Sequence, residues 1–472
     1  MCGIVAAPKW MATDRALDAI EHRGPDGRGK KLVGEWTLGH VRLALRDRTC
    51  SSAQPFKRGK IVVSFNGEIW GYESLRSALE LDGEKFETDG DTEVMACVLD
   101  KYGIDGLDAI EGMFAVAWTD GRSLWCARDK FGEIPIHFCG THQVAASEMK
   151  AMMELGCSCS SMLQPGSFVK FEEGTVESGK WYLPQLIENE SVDVEEAADS
   201  LRQSLMIGVS ERVQDDLESA FLLSGGIDSS AICSIACSMK RKPVLYTAVF
   251  NEKSADLRKA REVAEFLGLK LNEVKVKDPS VDDLLRTVDV IEQSSSAQVE
   301  IAWACLALAD AIRSDGFKVV MSGEGSDELW ASYGFAYHGI KKHGWYEFRR
   351  KLFESQAWKN FPRCNKVFMS RGVECRLPFL NENLVEDALS WSMQTVRGDP
   401  SVDKLVMREA FNGILPKSVI KRNKVAFQIG LGLKDSIRSR LPSAPSIYRN
   451  RYSESFKIKK EESSDLFRRA SA

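Results

Sequence analysis

The chain contains no Cys-x-x-Cys pair, although it has 12 cysteines in 472 residues. Its nearest approaches are Cys157-Ser-Cys159 and Cys233-x-x-x-Cys237. The second pair shares one face of a predicted helix, where core packing is the reading. No G-x-x-x-x-G-K-[ST] loop occurs, which removes the kinase-type phosphate cradle. No long apolar run occurs either. The longest stretch, "IAWACLALADAI" (301–312), is broken by Asp310 and is too short to span a bilayer. The N-terminal run is interrupted by Pro8, Lys9 and Asp14, unlike a secretory signal. A cytoplasmic chain with reduced thiols and no membrane association is expected. The charge balance is −5, and no basic stretch dominates. That argues against a nucleic-acid partner. Internal repeats are absent as well.

What is present begins at the first residues, "MCGIVA". A small second residue favours removal of the initiator methionine, leaving Cys2 with a thiol and a free α-amine. That amine titrates near pH ~8 and can act as the local base for its own side chain. The same six letters also suit a cysteine that is merely tolerated there.

The organisation changes along the chain. Residues 1–185 carry short apolar runs between turn signals, among them "WTLGHVRLAL" (36–45) and "KIVVSFNGEIW" (60–70). Hairpins are predicted around "TDGRS" and "EEGTV", and helices over 11–22 and 92–103. An acidic linker is assigned to 186–200, with Asp193 and Glu196 spaced as a capping box. Residues 201–440 alternate predicted strands and helices, which implies a parallel sheet wrapped by helices. Within them, 340–430 reads as mostly helical. Residues 441–472 are charged, poorly periodic and expected to be a mobile tail.

Two stretches carry chemistry. In "FLLSGGIDSS" (221–230) a strand runs into Ser-Gly-Gly, and an acid and two serines then open a helix. Glycines let backbone approach a phosphate, and a helix N-terminus offers N–H groups and positive partial charge. Asp228 would place a carboxylate where Mg²⁺ could use it. In "VVMSGEGSDE" (319–328) a second strand delivers Asp327 and Glu328 to a loop. Ligands of parallel sheets bind beyond the carboxyl ends of strands, so Asp228 and Asp327 could share one Mg²⁺.

The first stretch resembles the loop of the ATP pyrophosphatases, which split ATP into AMP and pyrophosphate. The N-terminal half carries, in order, "MCG", "EHRGPDG" (21–27), "HVRLAL" (40–45), "FNGEIW" (65–70), "DGDTEV" (89–94), "GMFA" (112–115), "RDKFGEIPI" (128–136) and "ASEMKA" (146–151). These are similar to the class II glutamine amidotransferases, an N-terminal-nucleophile family. Together with "GVECRLPFL" (372–380), "KLVMREAF" (404–411) and "KRNKVAF" (421–427), the chain resembles the glutamine-dependent asparagine synthetases over residues 1–430.

The resemblance implies an α+β N-terminal-nucleophile αββα sandwich followed by an α/β parallel-sheet nucleotide domain. It implies that Cys2 attacks the glutamine amide to form a thioester. Asn66 and the Gly67 N–H would hold the oxyanion, Arg42 the glutamine α-carboxylate, and Glu68 and Asp91 its amide or ammonium. For Arg42 a structural ion pair, and for Asp91 a helix N-cap, are the ordinary alternatives. Ser224, Gly225, Gly226, Asp228 and Ser229 would grip pyrophosphate, with Leu223, Val249, Ser322 and Gly323 around the nucleotide. Glu324 would help deprotonate the attacking nitrogen, and Lys424 would neutralise charge at the acyl centre. ATP and Mg²⁺ are the implied cofactors. Glutamine and a small carboxylate, aspartate first, are the implied partners. A homodimer is the assembly allowed for.

The chain departs from that family in "IEQSSSAQVEIAW" (291–303). Glu292 remains, but Ser294 and Ser295 replace a tyrosine and an aspartate, and Glu300 stands where an arginine is expected. Asn381 replaces an aspartate. Glu300 either reshapes the carboxylate pocket or faces solvent. The expected reaction is therefore asparagine synthesis, with the same chemistry on another carboxylate, of a sugar or a secondary metabolite, as the alternative.

Overall fold

In a computed structural model of the chain, the described residues are 1–184, 186–213, 217–398, 403–422 and 427–456. They fall into two compact units. One comprises Met1–Leu183 with Met369–Gly372 and the segment beginning at Tyr452; the other comprises Pro184–Phe368 and Val373–Arg451.

The first unit is built from β1 (Gly3–Pro8), β2 (Gly27–Val33), β3 (Trp36–Arg42), β4 (Phe56–Arg58), β5 (Ile61–Ile69), β6 (Gly112–Thr119), β7 (Ser123–Arg128), β8 (His137–Cys139), β9 (Val144–Ala146), β10 (Ser161–Met162), β11 (Ser167–Glu172) and β12 (Thr175–Lys180). They pair into two six-stranded sheets of order β10-β8-β9-β1-β3-β2 and β12-β11-β7-β6-β5-β4. Helices α1 (Asp14–Ala19) and α4 (Met149–Glu154) supply Ala16, Leu17, Ala151 and Met152 to a core shared with Val5 and Ala7 of β1. Helices α2 (Tyr72–Leu81) and α3 (Asp91–Tyr102) flank the other sheet. There α3 packs Val94, Met95 and Val98 against Val63, Phe65, Phe114 and Val116. The expected αββα sandwich is thus present. Both hairpins form where turn residues predicted them, whereas α2 was not foreseen.

Successive strand residues point to opposite faces. Val5, Ala7, Val63 and Phe65 face helices. Their neighbours Ile4, Ala6, Ser64 and Asn66 therefore face between the sheets. This is why β5 is buried at all but one position, and why a polar residue such as Asn66 is wholly buried.

The second unit opens with α5 (Val194–Arg212), whose N-cap Asp193 accepts from the Glu196 N–H at 2.9 Å. Its strands are β13 (Ser219–Leu222), β14 (Val244–Val249), β15 (Leu271–Lys275), β16 (Val319–Met321) and β17 (Glu374–Arg376). All pair in parallel, in the order β15-β14-β13-β16-β17. The crossovers include α6 (Ile227–Ser238), α7 (Ala255–Phe266), α8 (Val281–Ile291) and α9 (Ser296–Ser314). Strand order reverses between β13 and β16, which opens a crevice at their carboxyl ends. The mostly helical reading of 340–430 holds, with the three-residue strand β17 inserted among its helices. Residues Ala444–Ser455, expected in a mobile tail, are helical. No helix among the described residues is long and apolar enough to cross a membrane.

Candidate active sites

Cys2 stands just ahead of β1, and its backbone N–H donates to Asn66 Oδ1 on β5 at 2.7 Å. Its Sγ lies 3.9 Å from the Leu43 carbonyl oxygen. Arg23 clamps the same residue from behind: its Nε donates to Cys2 O at 2.9 Å while its Nη1 pairs with Glu148 at 2.7 Å. Asn66 is fully buried, yet its Nδ2 has no hydrogen-bond partner among the described residues. A buried donor left unpaired costs about 1–3 kcal/mol. An oxyanion would satisfy it. Gly67 is required by packing. A Cβ there would sit 2.1 Å from Met113 O and 2.6 Å from Phe114 Cβ on the paired β6.

Cys2, Arg42, Gly67, Glu68 and Asp91 line one cleft. Asp91 is the first residue of α3 rather than its N-cap, which is Gly90, and its Oδ2 accepts from the Ile69 N–H at 3.1 Å. Arg42 directs its fork at the backbone, donating to Thr49 O at 2.8 Å and to Asp47 O. Arg46, which sequence reasoning missed, also lines the cleft. Its Nε donates to Glu68 Oε2 at 2.6 Å, and its guanidinium lies 4.7 Å from the Tyr72 ring centroid. Burial works against its charge. Glu68 and Asp91 outweigh that and hold the group well above its ordinary range.

The second cleft lies at the β13/β16 crevice. Gly225 adopts φ +73°, and a Cβ there would meet Ala260 N at 2.6 Å, so the turn needs glycine. Gly226 then caps α6 without any side-chain cap, leaving first-turn N–H groups for a ligand. Ser224 and Ser229 hydroxyls lie 3.1 Å apart across the turn. The second loop packs onto this one: a Cβ on Gly323 would lie 3.3 Å from Asp228 Cβ, and Ser326 Oγ donates to Asp228 Oδ1 at 2.7 Å. Leu223 directly follows β13 and Val249 ends β14, both buried, and Ser322 donates its N–H to Arg376 O at 3.0 Å.

The expected pairing of Asp228 with Asp327 has an intervening cation of its own. Lys404 Nζ lies 2.5 Å from Asp228 and 2.6 Å from Asp327, and its side chain is buried. Lys404 belongs to "KLVMREAF" but received no role from the sequence. Arg422 donates to Gly225 O at 3.1 Å and pairs with Asp256 on the same cleft. Two hard carboxylates beside a glycine turn that opens a helix suit Mg²⁺.

Glu324 is held by Arg363 at 2.5 Å, and Arg363 reaches Gln298 Oε1 on α9 at 2.8 Å. Lys424 lies outside the described residues. Glu328 is buried beneath the loop, bonded to Tyr333 and to Asn360 Nδ2. Burial first, then Glu324 and Asp327, push its carboxyl up to about 7. The departures from the family pattern also resolve. Glu300 does not face solvent; it is 2% exposed on α9. Burial raises its carboxyl even though Arg438 and Lys434 pull the other way. Glu292 pairs with buried Lys366. Asn381 caps the helix Glu382–Ser390 by accepting from the Leu384 N–H at 3.2 Å, which an aspartate would also do.

An N-terminal cysteine between two sheets, followed by a glycine turn at a switch point, is the arrangement expected of an amidotransferase unit joined to a nucleotide-dependent ligase unit. Residues 1–181 match the family of glutamine amidotransferase domains, and residues 200–363 and 350–457 that of asparagine synthase. Asparagine synthetase [glutamine-hydrolyzing] 2 of rice is 30% identical over 466 residues, 92% of this chain and 78% of that one. Asparagine synthetase [glutamine-hydrolyzing] 3 of Arabidopsis thaliana is likewise 30% identical, over 92% and 79%. Among solved structures, glutamine phosphoribosylpyrophosphate amidotransferase of B. subtilis matches with a TM-score of 0.35 at 16% identity, over 70% of this chain and 77% of that one. The chain belongs to the asparagine synthase family.

Proposed function

We propose that this chain is an ATP-dependent, glutamine-hydrolysing amidotransferase that makes asparagine from aspartate. In the first unit, Cys2, freed of Met1, attacks the glutamine side-chain amide. The thioester forms as ammonia leaves, and water then releases glutamate. Asn66 Nδ2 and the Gly67 N–H stabilise the oxyanion, a preorganised pair of donors in a dry cleft. Arg42, Glu68 and Asp91 position the substrate's charged ends.

In the second unit, the aspartate side-chain carboxylate attacks the α-phosphorus of ATP, expelling pyrophosphate and giving an acyl-adenylate. Ammonia then displaces AMP. Ser224, Gly225, Gly226 and Ser229 hold the phosphates, Leu223, Val249, Ser322 and Gly323 flank the nucleotide, and Glu324 takes a proton from the attacking nitrogen. Lys424 would neutralise charge at the acyl centre. Asp228 and Asp327 would hold Mg²⁺, which when bound offsets phosphate charge. The partners are small molecules, and a cytoplasmic location suits them.

The observation that carries this reading is the Cys2–Asn66 contact, with an Nδ2 donor unpartnered among the described residues, in a chain 30% identical to rice asparagine synthetase over 92% of its length. One observation favours a second reading. Glu300 is a buried carboxylate where the resemblance expects an arginine, so the acceptor could be a carboxylate other than aspartate. The test is pyrophosphate release from ATP, Mg²⁺ and ammonia, with and without aspartate. Aspartate-stimulated release with asparagine formed supports the first reading. Unstimulated release with intact glutaminase activity supports the second.

A further inference from the structure

Cys139, His142, Cys157 and Cys159 come together on the first unit, away from the Cys2 cleft. Their ligand atoms all lie within 4.8 Å of one another, and no other such group of three or more occurs among the described residues. Cys139 Sγ is 3.3 Å from His142 Nδ1 and 3.7 Å from Cys159 Sγ. A tetrahedral zinc with Zn–S of about 2.3 Å has S···S edges of about 3.8 Å. The cluster therefore sits near the dimensions of a filled site.

The backbone prepares this arrangement. Cys139 ends β8, and a turn returns the chain into β9, with Cys139 paired to Val144. His142 stands in that turn. Helix α4 is closed by Gly156 (φ +75°), just past its C-cap Leu155; the Gly156 N–H reaches Met153 O at 2.9 Å while the Cys157 N–H reaches Met152 O at 3.0 Å. This double closure is a Schellman motif and fixes Cys157. Four residues on, the chain enters β10, where Ser161 pairs with Phe138, so the register brings Cys159 beside Cys139. Cys139 and Cys157 are buried in the apolar core beside α4, while Cys159 is exposed and His142 half-exposed, which leaves an entry path.

We propose that these four residues form a structural zinc site, with three thiolates and the His142 Nδ1 as ligands. Three sulfurs and one imidazole suit zinc in tetrahedral geometry, and four protein ligands leave no open position for chemistry. Binding releases the thiol protons and clips the two-residue edge strand β10 and the β8–β9 turn together. That edge continues through β9 to β1, where Ser147 Oγ accepts from the Ile4 N–H at 2.8 Å, two residues from Cys2. The sequence signal was C-x-x-H followed by C-x-C, which a search for Cys-x-x-Cys passes over.

The test is metal content of the full-length chain, purified with reductant and reconstituted with zinc chloride. A single zinc per chain is expected, with X-ray absorption showing about three sulfurs at ~2.3 Å and one nitrogen at ~2.0 Å. Cobalt in its place should give a sulfur-to-metal charge-transfer band. Cys159→Ser and His142→Ala alter the two more accessible ligands, so folding is expected to survive; each should lower zinc affinity at least tenfold with unchanged circular dichroism. The proposal is overturned if the wild type stays metal-free, if the variants bind zinc equally well, or if the metal shows only nitrogen and oxygen neighbours. A Cys139–Cys159 disulfide persisting in reductant would overturn it too.

Discussion

Arg46 holds the Glu68 carboxylate at 2.6 Å inside the cleft that contains Cys2. A substrate ammonium that used Glu68 would have to compete with this guanidinium. The ion pair is mostly buried, and removing one partner of a buried pair leaves the other charge uncompensated.

Arg46→Met is therefore expected to lower the KM for glutamine several-fold, with kcat for glutamine hydrolysis little changed. The free variant should melt lower than wild type, and glutamine should raise its melting temperature by more than it raises that of wild type. Steady-state glutaminase kinetics and paired melting curves read both effects. An unchanged KM would show that glutamine does not use Glu68.

Asn66→Ala removes a buried side-chain donor that has no partner among the described residues, on the residue whose Oδ1 accepts from the Cys2 N–H. Loss of one oxyanion donor typically costs about 10²–10³ in kcat. Glutaminase kcat should fall by that order, while ammonia-dependent pyrophosphate release stays within about twofold of wild type, because that chemistry belongs to the second unit. A parallel loss of both activities would indicate a folding defect instead, which circular dichroism would reveal.

These two residues also show what the sequence made legible. Asn66 could be found because its motif is ordered with others along the chain, and strand alternation explains why it faces inward. Arg46 could not, because nothing in "HVRLALRD" tells that both arginines line the cleft, nor which of them braces the Asp47–Thr49 turn. The structure gives the brace to Arg42. Both glycine turns and the parallel sheet were readable from local chemistry. The strand Glu374–Arg376 was not, since three residues carry too little periodicity and its pairing partner lies far away in sequence. Lys404 was hidden for a similar reason: it reaches Asp228 across a separation of 176 residues.

Lys404 bridges two acids that would otherwise face each other. Replacing it by methionine leaves Asp228 and Asp327 without that cation, and breaking such a buried pair costs about 3–5 kcal/mol. Lys404→Met should melt lower than wild type, lose most pyrophosphate release, and recover more melting temperature on adding Mg²⁺ than wild type does. Calorimetry with and without MgCl₂ measures the difference. If Mg²⁺ gave both proteins the same increment, these two carboxylates would not be its site.

Glu328 supplies a pH dependence. Its carboxyl is raised from 4.5 to about 7 by burial, with Glu324 and Asp327 adding to the effect. Between those values the folded chain holds a proton that the unfolded chain has released. Stability from this group is thus full below about pH 4.5 and declines as pH rises through about 7, because each further unit favours the unfolded state. Glu328→Gln keeps an oxygen for Tyr333 and Asn360 to donate to and removes the titration. The urea midpoint of wild type should therefore fall, relative to the variant, from pH 5 to pH 8, with the two curves converging toward the acid end. Parallel midpoints across that range would mean that Glu328 is already ionised in the fold, and that its contact with Tyr333 is charge-assisted.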